Sequence, residues 1–213
     1  MAKTVTAAEM KARERAANEA GLLYIQMMEN AGRAAWKELK ARVPSLRRLL
    51  IVAGKGNNGG DGFVMARVAA KEGMQVRVLL AEGEPKTADA KTNLARLGET
   101  AAEIVRDTEQ AAFGVDAVVD ALYGTGFHGE LRPGGAAACA LMGRERERGA
   151  FVLALDLPSG VGADSGEVAE GAVQADATVT FDCTKPLHFA KASKPLCGAV
   201  VCVDIGIGKA LGE

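Results

Sequence analysis

Leu49 to Ala53 (LLIVA) runs into GKGNNGGDG, Gly54 to Gly62, and emerges as FVMARVAAK, Phe63 to Lys71. A short apolar run bounded by glycines reads as a buried strand, and the segment after it has helical periodicity. Strand, glycine-rich loop and helix form the first half of a βαβ unit, whose parallel strands need helices over both faces of the sheet. The alternation continues down the chain. Val76–Leu80, Ala117–Asp120, Val152–Asp156, Thr178–Phe181 and a closing run near Val200–Val203 read as strands, with helices over Thr87–Arg96 and Ala136–Arg148.

Ahead of this core, Thr6 and Glu9 have the spacing of a capping box, opening a helix that runs to Asn18 and breaks at Gly21. A second helix spans Leu22 to Arg42, with Ile25, Met28 and Trp36 on its apolar positions and Gly32 where only close packing explains a missing side chain. Pro44 and Ser45 end it. The expected fold is α/β, a Rossmann-like three-layer αβα sandwich with a mostly parallel central sheet. A single domain is expected over residues 1–213, its N-terminal helices (about 6–42) packing on the sheet domain.

Composition narrows the function. Among 213 residues, 26 basic and 27 acidic side chains leave a net charge of −1, and aromatic residues make up 4%, so neither a field for polyanions nor a set of stacking platforms exists. Nucleic acid and membrane surfaces are not expected partners. Cys139, Cys183, Cys197 and Cys202 contain no Cys-x-x-Cys pair and share the chain with only His128 and His188, which argues against disulfides and zinc. The charged start lacks a leader's apolar centre, no apolar run approaches about 18 residues, and a reducing, cytoplasmic location is expected.

In an open α/β sheet, ligands bind beyond the carboxyl ends of the strands near a topological switch point. Four strands end in polar chemistry: GKGNNGGDG, then Asp120 leading to Gly124-Thr125-Gly126, then Asp156-Leu157-Pro158-Ser159, then Asp182-Cys183-Thr184-Lys185. The first segment reads either as a phosphate cradle or as a tight turn needing positive φ, and it matches neither a P-loop nor a dinucleotide fingerprint. Asp120, Asp156 and Ser159 read either as turn caps or as ligands. As ligands, Asn58, Asp120 and Ser159 would give three hard oxygens with a single carboxylate, a set suited to a monovalent cation. Asp156 is then a candidate acid/base, its pKa raised by apolar neighbours. His128 reads as a loop residue and Lys185 as a solvated lysine.

Asn57-Asn58-Gly59-Gly60-Asp61-Gly62, Val119 to Gly126, Leu155 to Val161, Met28 to Arg33 and Asp204-Ile205-Gly206-Ile207 together resemble the NAD(P)H-hydrate epimerases, the YjeF N-terminal domain family. The resemblance implies an isomerase that interconverts the R and S forms of hydrated NADH and NADPH, alongside a dehydratase that is separate or fused. It implies substrate contacts from Asn57, Asn58, Gly59, Gly60, Asp61, Gly124, Thr125, Gly126, Phe127, His128, Gly129, Glu130 and Asp156. It also implies one potassium ion per subunit on Asn58, Asp120 and Ser159, and a homodimer. A non-catalytic binding or scaffold protein of the same fold is the alternative. Two positions depart from the family pattern: Gly162 stands where an aspartate is common, and Glu130 sits in the proposed anion loop, so phosphate binding there must come mainly from amides.

Overall fold

The computed structural model describes residues 3–213, so residues 1 and 2 of the expected domain lie outside it. Seven strands form one sheet: β1 (Arg48–Ala53), β2 (Gln75–Leu80), β3 (Glu103–Val105), β4 (Ala117–Ala121), β5 (Phe151–Leu155), β6 (Ala177–Phe181) and β7 (Ala199–Val203). Their order is β3-β2-β1-β4-β5-β6-β7, and every neighbouring pair is parallel. The chain works outward from β1 to β3 and then returns to place β4 beside β1. That reversal is the switch point, and the crevice it opens lies at the carboxyl ends of these two strands.

Alternate residues of each strand feed two separate cores. Leu49, Ile51 and Ala53 of β1 pack with α2 (Tyr24–Arg42), α3 (Asn57–Lys71) and α4 (Ala88–Leu97) on one face. Leu50 and Val52 pack with Ala138, Leu141 and Met142 of α6 (Pro133–Glu147) on the other. Burial of both faces explains why the strands read as continuous apolar runs rather than alternating ones.

The expected capping box is present: Glu9 N–H donates to Thr6 Oγ1 at 3.2 Å, and Thr6 N–H to Glu9 Oε2 at 2.7 Å, opening α1 (Ala7–Glu19). This helix is tied down across the strand ends by Arg13, which reaches Asp182 at 3.1 Å and Glu213 at 2.8 Å. β3, the four-residue α5 (Thr108–Ala111) and the terminal α7 (Ile207–Ala210) have no counterpart in the sequence reading.

One correction bears on function. The glycine-rich segment is not a loop, because α3 starts at Asn57 and NNGGDG forms its first turns. Nor do its glycines supply positive φ: Gly54, Gly56, Gly59, Gly60 and Gly62 all lack it. They are spacing devices. A Cβ on Gly60 would sit 2.5 Å from Met28 Sδ, and one on Gly62 2.7 Å from Ala121 Cβ. Gly32 in α2 is the reciprocal case, where a Cβ would meet Val64 at 2.6 Å, so α2 and α3 approach through small residues on both sides.

Candidate active site

A cavity of about 690 Å³ opens over the carboxyl ends of β1, β4, β5 and β6. Of the residues singled out in the sequence, Asn57, Asn58, Asp61, Gly124, Thr125, Gly126, Phe127, His128, Glu130 and Asp156 line it. Gly59 and Gly60 are buried behind this wall, and Gly129 borders a neighbouring groove of about 890 Å³ instead. Asp120 and Ser159 are wholly buried beside the wall.

Asp120 ends the β4 run with its carboxylate turned into the junction with the β5 loop. Ser159 N–H donates to Oδ2 at 2.7 Å, Ser159 Oγ donates to Oδ1 at 2.6 Å, and Leu122 N–H to Oδ1 at 3.2 Å. Ser159 Oγ in turn accepts from Tyr123 N–H at 2.9 Å, while Asn58 Nδ2 donates to Tyr123 C=O at 2.8 Å. One peptide segment therefore gathers all three oxygen-bearing side chains from three strand ends. Asp120 has no cationic partner among the described residues, and none of their donors reaches Asn58 Oδ1. Burial pushes the Asp120 carboxyl up to about 6, outweighing the hydrogen bonds from Ser159 and Leu122 that stabilise its charge. A buried carboxylate lacking a counter-charge, with a spare amide oxygen and a hydroxyl beside it, fits a weakly charged hard cation.

Asp156 departs from expectation. Its surroundings are not apolar: Oδ1 accepts from the Lys185 ammonium and from Thr180 Oγ1 at 2.9 Å. Lys185 is buried rather than solvated, and its Nζ also donates to Thr180 Oγ1 at 3.0 Å and Phe181 C=O at 3.3 Å. The backbone at Asp156 is strained, with φ of 65° in a region L-residues seldom occupy. His188 helps to hold it there. Lys185 N–H donates to His188 Nδ1 at 3.0 Å, so the proton lies on Nε2, which donates to Asp156 C=O at 3.0 Å. Burial holds His188 below its ordinary pKa, consistent with the neutral ring that this geometry requires.

The cavity holds more carboxyls than the sequence suggested. Glu14 of α1 joins Asp61 and Asp156 in the lining. The Asp61 carboxyl makes no hydrogen bond or ion pair with any described residue, and burial, then the charges of Asp156 and Glu14, push its pKa well above the usual range. Glu14 is raised as well, chiefly by burial. The lining also holds Lys55, Lys86 and Arg132, which arrive on the loops after β1, β2 and β4. Sequence reasoning missed these cations, since lone basic residues in loops carry no local signal. Tyr123 stacks on Phe127 at 5.0 Å and donates its hydroxyl to Glu82 at 2.7 Å, ordering the β4 loop.

All four cysteines are unpaired, and among the described residues no helix is long and apolar enough to cross a membrane. The family model for YjeF-related protein N-terminus matches residues 24–187. An NAD(P)H-hydrate epimerase from Pirellula staleyi is 40% identical over 206 residues, covering 91% of this chain and 87% of the relative. The bifunctional NAD(P)H-hydrate repair enzyme Nnr of Coxiella burnetii is 38% identical over 197 residues, and the match covers 92% of this chain but only 40% of that protein. A crystal structure of the yeast protein ynu0 superposes with a TM-score of 0.76 at 19% identity, covering 95% of this chain and 88% of that one, which shows the fold. On the strength of the matched segment and these identities, the chain belongs to the YjeF-related protein N-terminus family.

Proposed function

We propose that this protein is an NAD(P)H-hydrate epimerase that interconverts the R and S forms of hydrated NADH and NADPH, so that a dehydratase can repair both. The observation that carries this reading is the cavity at the switch point, whose lining holds the carboxyls of Asp61, Asp156 and Glu14 together with the cations Lys55, Lys86 and Arg132. The carboxyls suit a proton-transfer reaction at the hydrated ring, and the cations, with the free amides at the start of α3, suit the phosphates of a dinucleotide. The reacting carbon carries a hydroxyl and a ring nitrogen. Protonation of the hydroxyl lets it leave as water while the nitrogen lone pair forms a planar iminium, and water added to the other face gives the opposite epimer. Asp156, held in a fixed direction by Lys185, Thr180 and the His188 bond to its backbone, is an acid/base residue of this scheme.

Potassium is the proposed ion at Asn58, Asp120 and Ser159, where its charge would balance Asp120 and brace the α3, β4 and β5 segments against one another. The proposed setting is the cytoplasm, as a homodimer, acting beside a separate or fused dehydratase. Purified protein supplied with the slowly consumed epimer should convert it to a mixture of both, faster in potassium than in its absence. Failure to convert under either condition would leave the chain as a binding protein.

The ion is also testable without turnover. Between about 4 and 6, the folded protein keeps a proton on Asp120 that the unfolded chain has lost, so this group subtracts stability as pH rises through that window. A cation restores the loss only where Asp120 is ionised. Potassium at about a hundred times its Kd should therefore raise the unfolding temperature by roughly 5 °C or more near pH 7.5, and have little effect near pH 5. An equal shift at both values would remove Asp120 from the ion site.

A further inference from the structure

Inversion at a planar carbon imposes a condition that one carboxyl does not meet. The hydroxyl departs from one face and water arrives at the other, so a single acid/base on one face returns the epimer it started from unless the ring turns over in the site. The cavity lining offers a second proton-handling group. Asp61 projects from α3 and Asp156 from the turn directly after β5, so the two carboxyls enter the same cavity from different elements, and their partners differ. Asp156 is bonded to the Lys185 ammonium and the Thr180 hydroxyl, whereas the Asp61 carboxyl has neither cation nor hydrogen-bond donor among the described residues.

We propose that Asp61 and Asp156 form an acid/base pair serving opposite faces of the substrate, with Asp61 entering the reaction as the proton donor and Asp156 as the acceptor. The inference rests on the epimerase reading. The Asp61 proton passes to the departing hydroxyl, the carbon–oxygen bond breaks with its electron pair on the oxygen, and the ring nitrogen's lone pair forms the C=N bond. A water oxygen then bonds to the carbon from the Asp156 face, its proton passes to Asp156, and the C=N pair returns to nitrogen. The protein ends with Asp61 ionised and Asp156 protonated, the form that accepts the other epimer, and exchange with solvent resets it. The charged groups facing Asp61 favour this starting state. Burial, the Asp156 carboxylate after β5 and Glu14 from α1 all favour the protonated Asp61, against the opposing charge of Lys185 after β6.

Stereochemistry in oxygen-18 water tests the division of labour. The unaltered protein should incorporate label with inversion of either epimer. Asp61→Asn keeps the side chain's size while removing the proton donor, so folding should be retained, which the unfolding temperature checks. Both Asp61→Asn and Asp156→Asn should lose inversion by about 100-fold or more. Each, however, should still exchange label with retention in one epimer, the one whose hydroxyl faces the remaining carboxyl, and the two variants should spare opposite epimers. Inversion within about threefold of normal in Asp61→Asn would overturn the pair while leaving the epimerase reading intact, and so would equal loss of label exchange from both epimers in both variants. Absence of inversion by the unaltered protein would overturn the pair and the epimerase reading together.

Discussion

Lys185→Met is expected to lower stability by about 3–5 kcal/mol, the usual loss when one partner of a buried ion pair is removed. Lys185 side-chain exposure is 1% and that of Asp156 is 13%, so the carboxylate left behind has little solvent to compensate it. The same change also strips donors from Thr180 Oγ1 and Phe181 C=O. For a chain of this length the unfolding temperature should fall by roughly 10 °C. Activity should fall further than stability, because Asp156 would lose the contact that fixes its direction, and misplacement of an acid/base group costs about 100-fold in rate. A second substitution separates charge from packing. Adding Asp156→Asn to Lys185→Met should recover much of the lost stability, since no buried charge then remains unpaired, while activity stays lost. An unchanged unfolding temperature in Lys185→Met, with full turnover, would show that the pair matters to neither.

Gly54→Ala is expected to cost about 3 kcal/mol or more, at the upper end of overpacking penalties. A Cβ on Gly54 would lie 1.8 Å from Leu122 O and 2.8 Å from Leu122 C, and both are backbone atoms that no rotamer change can move. Gly54 N–H is meanwhile bonded to Ala121 O at 3.0 Å, so relieving the clash means parting the ends of β1 and β4. That parting would also pull Asn58 from Tyr123 and open the junction around Asp120. Gly56→Ala, two residues on, is the control. Gly56 has an extended backbone with φ of −94°, and a Cβ there meets nothing within 4 Å, so a loss below about 1 kcal/mol is expected. Urea unfolding with unchanged m-values measures both changes, and equal midpoints for the two variants would refute the close-approach account.

Both effects arise where the sequence was least legible. The strands were found to within a residue or so, because burial on both sheet faces leaves a continuous apolar run in the chain itself. Asp120, Asp156 and Ser159 could be singled out because each follows such a run, where the parallel topology puts ligands. The three-residue β3 was missed because it is too short to show a period, and it is held by pairing with β2. The start of α3 was misplaced because asparagine and glycine are weak helix formers, and packing against Met28, Gly54 and Ala121 overrides that preference.

The sequence by itself determined the α/β class, the order of its elements and the strand ends at which chemistry would gather, since these follow from local hydrophobic periodicity. Only the tertiary structure decided the state of the groups in the cavity. Lys185 looks like any solvated lysine until the fold buries it against Asp156, 29 residues away, at the edge of the cavity. Glu14 reaches the same cavity from α1. Charge state, direction and close approach depend on neighbours distant in the chain, and local patterning carries no record of them.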